Sequence, residues 1–106
     1  MPSTPKQQLR AILKAGNYRL AYKAATEIAP IDLLEAMQLT ILAATQDRDH
    51  FEELAVHWIE RLLAERKVSV HEIRWVASRF QDAWEEQPND PETALAKFLK
   101  RAPLRL

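Results

Sequence analysis

Apolar residues recur along this chain at spacings of three and four, in runs separated by short polar breaks. That spacing is the mark of amphipathic helices. The cleanest run is "HFEELAVHWIERLLAER". There Phe51, Leu54, Ala55, Trp58, Ile59, Leu62 and Leu63 predict one buried stripe on a helix over about 50–66. Ile73, Val76, Ala77, Phe80 and Trp84 repeat the pattern over 70–86. Leu9, Ile12 and Leu13 give a stripe over 5–15, and Leu95, Phe98 and Leu99 give another beyond 91. The segment "LLEAMQLTILAAT" departs from this pattern. It carries no charge after Glu35, and its apolar residues fall nearly all round the helical wheel. A helix that is apolar on most sides is buried on most sides. Residues 33–46 therefore predict a central helix, with Leu33, Met37, Ile41 and Leu42 in the core.

Polar punctuation sets the boundaries. Thr4, Pro5 and Gln7 read as an N-cap, a first-turn proline and a capping box for the first helix. Gly16 stops that helix, because glycine accepts the left-handed conformation at no steric cost. Asn17 caps the second helix, 18–29, and Pro30 ends it. Asp32 with Glu35, Asp49 with Glu52, and Ser69 with Glu72 read as boxes opening the third, fourth and fifth helices. Val68 and Ile73 stand at the two positions of a hydrophobic staple. Pro88 is expected to close the fifth helix; Asp90 and Pro91 open a sixth, which ends before Pro103. The expectation is an all-α fold: a compact bundle of about six short helices in one domain, 1–106, with the third helix (about 33–46) at its centre.

Composition removes several classes of chemistry. The chain has 106 residues, one Gly and no Cys. Without Cys there is no disulfide framework, thiolate metal site or Cys nucleophile. One Gly cannot build a Walker motif or a dinucleotide fingerprint. No apolar run approaches the roughly 20 residues that span a bilayer, and "MPSTPKQQLR" carries no apolar signal region. A cytoplasmic protein with no membrane segment is expected. Glu53, His57 and Glu60 lie close on one side of the fourth helix, but no second His sits at usable metal-ligand spacing, and a solvated His57 beside Glu53 is the expected state. His50 and His71 read as surface residues, and Ser and His form no catalytic arrangement. No catalytic residue, metal site or cofactor is assigned, and an enzyme is not expected.

Formal charge sums to zero, yet it is unevenly spread. Residues 1–30 carry Lys6, Arg10, Lys14, Arg19 and Lys23 against Glu27; residues 31–56 carry Asp32, Glu35, Asp47, Asp49, Glu52 and Glu53 against Arg48. Such halves either pair within the fold or present a dipolar surface for docking. The basic stretch "LKAGNYRLAYKAA" also permits a DNA-binding helical hairpin. A reader of base edges needs Arg, Lys, Asn or Gln on its recognition helix. If the first two helices are scaffold, the reader is the third, which bears Asp32 and Glu35 and no Lys or Arg. If the second is the reader, it offers little beyond Arg19 and Lys23.

Two resemblances follow from these residues. Gly16, Asn17, Tyr18 and Ala21 resemble the turn and second-helix start of a tetratricopeptide repeat, with an echo 33 residues on at Phe51 and Leu54. That likeness implies helical-hairpin packing. It spans one hairpin, since Asp49-His50 replaces the glycine turn in the echo and Pro30 comes early. More broadly, residues 16–80, and "AVHWIERLL" with Trp58 and Arg61 one turn apart most of all, resemble small all-helical actinobacterial proteins of unknown function. That likeness implies a fold and brings no site.

Candidate contact residues complete the sequence reading. Trp75 points nearly opposite the Ile73/Val76/Phe80 stripe, among His71, Ser78, Arg79 and Asp82. A large aromatic on a charged face is either covered by another element or is a contact residue of the kind found at interface hot spots. Trp75, His71 and Arg79 are the first candidates for a partner surface. Tyr18, Arg19 and Tyr22 are the second, with packing at the corner of the first two helices as their alternative. Leu104 and Leu106 stand beyond the last helix as a possible linear handle. The function expected is a small non-enzymatic protein–protein interaction module, acting as adaptor, regulator or homo-oligomer. The alternative is a DNA-associated protein using the basic first hairpin.

Overall fold

In the computed structural model, residues 4–87 and 90–103 are described; Pro88, Leu104 and Leu106 lie outside them. Among the described residues the chain forms α1 (Pro5–Ala15), α2 (Tyr18–Ile28), α3 (Leu33–Gln46), α4 (Arg48–Glu65), α5 (Val70–Glu86) and α6 (Pro91–Leu99), and no strand. The capping chemistry explains most of the boundaries. Thr4 and Ser69 each make a full reciprocal box, with Gln7 and Glu72. Asn17 and Asp32 accept from the amides of Leu20 and Glu35. Asp90 accepts from the Glu92 amide and the Thr93 hydroxyl. Gly16 closes α1 at φ 77°, a left-handed value that favours glycine, and its N–H reaches the carbonyls of Ile12 and Leu13.

The start of α4 differs from expectation. The Asp49–Glu52 box does not set it: the helix begins at Arg48, and Asp47 precedes it without a side-chain cap bond. Arg48 supplies the reason. Its Nη1 donates to the carbonyls of Ala44 (2.8 Å) and Trp84 (3.0 Å), and its guanidinium lies 3.6 Å from the Trp84 ring centroid. With that guanidinium held against the end of α3 and against α5, the α3–α4 break is Asp47 alone.

As expected, α3 is central. It is packed against every other helix. Met37, Ala43 and Ala44 are fully buried, and even Glu35 and Thr40 are enclosed. The Thr40 hydroxyl returns to the Ala36 carbonyl, which satisfies it within the helix. The entry to α3 is held from α4. The Trp58 indole N–H donates to the Leu33 carbonyl at 2.7 Å, and Arg61 Nη2 donates to the Ile31 carbonyl at 2.7 Å. The exit is held at the α1–α2 corner. There Gln46 accepts from the Tyr18 amide at 3.1 Å and donates to the Gly16 carbonyl at 2.6 Å.

On the other side of the core an aromatic series runs across α4, α5 and α6. Phe51 stacks on Trp84 (5.6 Å) and meets Phe80 edge-on (6.1 Å); Phe80 in turn meets Trp58 (5.6 Å) and Phe98 (5.0 Å). Offset and edge-on rings at such separations add about 0.5–1.5 kcal/mol per pair beyond their burial.

Candidate functional site

Trp75 lies half-buried beneath α6. Its ring stands edge-on to Phe98 at 5.7 Å, with the Arg79 guanidinium 5.5 Å from its centroid and Asp82 3.3 Å from Arg79. The first of the two readings of Trp75, cover by the sixth helix, accounts for most of its surface. His71 remains exposed on the first turn of α5 and Arg79 is partly covered. Beside them a cleft of about 300 Å³ runs between α5 and α6 over Ile41, bridged by Lys97 and Glu86 at 2.7 Å.

The second candidate group divides. Tyr18 is buried at the α1–α2 corner, with its hydroxyl beside the Asp47 carboxylate and in no hydrogen bond among the described residues. Burial first, then Asp47, holds its phenol well above the usual tyrosine range. Tyr18 is therefore a packing residue and not a contact residue. Tyr22 reaches the surface, with its ring 5.8 Å from Tyr18 and stacked at 6.2 Å on His50. Arg19 is exposed.

The basic stripe of α1 is answered inside the fold. Lys6 faces Asp32 at 3.7 Å, Arg10 faces Glu35 at 3.6 Å, and Lys14 faces Glu92 at 3.6 Å. These distances favour internal complementarity for that part of the chain. Glu35 is the notable member, only 4% exposed. Burial, reinforced by the hydrogen bond and charge of the neighbouring Asp32, raises its carboxyl above the ordinary range. Burial also works against Asp32, but bonds from Glu35 and the charges of Lys6 and Arg10 outweigh it and hold Asp32 below that range. Of the two, Asp32 is the one held ionised and Glu35 the one that more readily holds a proton. Above them opens a cleft of about 520 Å³ between α1, α3 and α6, floored by Leu13, Ile41, Leu95 and Leu99. Both Glu35 oxygens are closed off from solvent, whereas the Asp32 side chain remains partly exposed; the contacts Lys6–Asp32 and Arg10–Glu35 join α1 to the start of α3.

The outward face of α4 was not among the expected contact surfaces. Leu63, placed in the buried stripe by its spacing, is 51% exposed, and Val56, seven positions earlier, is 47% exposed. The stripe centres on Trp58 and Leu62, and adjacent residues on a helix diverge by about 100°. Val56 borders a groove of about 340 Å³ between α4 and α5, floored by Phe51, Phe80 and Trp84. Asp49, Glu52, Glu53 and Glu60 lie exposed on the same side of α4, while its two arginines are turned inward to Trp84 and Ile31. Glu53 has His50 as its neighbour, 3.5 Å away, where sequence spacing had suggested His57. No group of three or more His, Asp or Glu among the described residues is arranged to hold a metal ion. No helix among them is long and apolar enough to cross a membrane.

No protein-family model, curated protein or solved structure matches this chain.

Proposed function

We propose that this chain is a small, non-enzymatic protein–protein interaction module working in a reducing compartment such as the cytoplasm. One observation carries the reading: the outward face of α4 keeps Val56 and Leu63 about half exposed within a border of carboxylates, and Val56 edges an aromatic-floored groove. Apolar side chains framed by polar ones, next to a groove between two helices, suit the docking of another helix. The absence of Cys fits the compartment. Binding is favoured over catalysis, since Glu35, the carboxyl raised by burial, has both oxygens closed off from solvent.

The DNA-associated alternative loses its main support in the pairing of Lys6, Arg10 and Lys14 with carboxylates of α3 and α6. No measurable affinity for generic duplex is expected at low salt, where counterion release is most favourable. For the interaction reading the test is affinity capture with cross-linking, comparing the native chain with a Val56→Glu/Leu63→Glu variant. Both positions are surface sites, so stability should change by no more than about 0.5 kcal/mol. The captured partner set should be lost. A partner set identical for both proteins overturns this surface.

A further inference from the structure

The cleft of about 520 Å³ between α1, α3 and α6 is built from one face of each helix. Leu34, Gln38 and Ile41 line it from α3, Arg10, Leu13 and Lys14 from α1, and Leu95 and Leu99 from α6. Spacings of three and four place each set on a single helix side. The floor is aliphatic, and no aromatic ring lines it. Its polar groups are unequally engaged. Asp32 accepts from the Glu35 amide and faces Lys6, while both Glu35 oxygens are closed off from solvent. The donors are in a different position. Arg10 and Lys14 each stand 3.6 Å from their carboxylates, Glu35 and Glu92, which balances charge at a separation too long for a hydrogen bond. Together with Gln38 they offer side-chain N–H groups that no acceptor among the described residues takes. None of the three is buried, so a ligand in the cleft can reach them.

We propose that this cleft binds a medium-chain aliphatic carboxylate, with its chain along Leu13, Ile41, Leu95 and Leu99 and its head received by Arg10, Lys14 and Gln38. The volume falls within the small-molecule range of about 300–1,000 Å³. An ionised carboxylate only accepts hydrogen bonds, which suits a rim whose unused groups are donors. An ammonium head finds the opposite: Asp32 is shared between Lys6 and the Glu35 amide, Glu35 is enclosed, and Glu92 already faces Lys14. The inference goes beyond the interaction-module reading and stands without it, because neither α1 nor α6 packs on α4. A chain lying across Ile41, Leu95 and Leu99 also ties α6 to α3.

Titration calorimetry of the full chain with octanoate is the test. Saturable one-to-one binding is expected, and hexanoate and butanoate should bind more weakly, by up to about fourfold for each methylene removed. Octanol and octylammonium keep the chain and change the head. Each should bind at least about tenfold less well, the loss of one charge-assisted hydrogen bond. Arg10→Gln and Lys14→Gln should each cost octanoate about the same, whereas Glu92→Gln, which releases Lys14, should tighten its binding. Val56→Glu/Leu63→Glu should leave it unchanged. Circular dichroism melts confirm that each variant folds, as surface substitutions of this kind should. Saturation with octanoate should also raise hydrogen-exchange protection across α6. Absence of saturable binding, equal affinity for octanol or octylammonium, or indifference to both the Arg10 and Lys14 variants overturns the proposal. Loss of binding on Val56→Glu/Leu63→Glu moves the ligand to α4 and overturns the cleft assignment. A chain that binds octanoate as expected but captures no partner keeps this site and loses the interaction reading.

Discussion

Gly16 is the chain's one glycine, and it stands where φ is 77°. A side chain there meets the following carbonyl, so Gly16→Ala should cost about 1–2 kcal/mol in a denaturant titration. The Glu35–Asp32 pair sets a second expectation. Glu35 is raised, so the folded state holds its proton more tightly than the unfolded state, and stability falls as pH climbs from the ordinary carboxylate range through the raised value. Asp32 is lowered, so its contribution is present above the ordinary range and lost as pH drops through the lowered value. Stability should peak in mildly acidic solution. Glu35→Gln keeps a neutral hydrogen-bonding group but cannot titrate, and its melting temperature should lose the decline on the alkaline side. An unchanged slope would mean the proton resides elsewhere. Caps and the glycine stop were legible because their partners lie within four residues. Gln46, Arg48 and Arg61 were not, because their work is done on backbone carbonyls 30, 36 and 30 positions away. Glu35 was legible as a cap partner and illegible as a buried acid, since burial depends on where α1 lands.

Among the elements, α4 and α6 stand at opposite ends of a range of attachment. α4 clasps the entry to α3 through Trp58 and Arg61. Trp58→Phe keeps most of the packing but removes the side-chain donor that reaches the Leu33 carbonyl, which retains its place in the α3 ladder. The expected cost is about 0.5–1.5 kcal/mol by chemical denaturation. α6, by contrast, has Phe98 as its one buried described side chain, with clefts on both flanks. Phe98→Ala should therefore release α6 without dissolving the core. Its cost is capped by the docking of that helix, short of the about 3–5 kcal/mol typical of a Phe in an enclosed core. Hydrogen exchange should show α6 amides losing protection while those of α3 keep theirs, and Trp75 emission should shift to the red as its cover leaves. Loss of protection in α3 as well would show α6 to be integral. The helices themselves were readable from periodicity and caps. The exposure of Leu63 was not, because a stripe two residues wide leaves its edge undecided until a neighbouring helix takes one side.

At the scale of the whole molecule, the uneven charge of the sequence resolves into two parts. The α1 cations find carboxylates within the fold, and the α2 and α4 faces keep theirs for the surface. The first part was foreseeable as a choice between internal pairing and docking; the second needed the orientation of each helix about its axis. The central position of α3 reaches further. In a stacked array of helical pairs each unit touches only its neighbours, so a chain can melt from one end and can gain or lose a unit. Here every helix shares one hub, and no pair can be removed without opening a wall of the same interior. The calorimetric enthalpy of unfolding should then match the van't Hoff enthalpy in a single transition. Insertions would be tolerated at the joints and never as another repeat, so this architecture varies by decorating its surface and cannot lengthen.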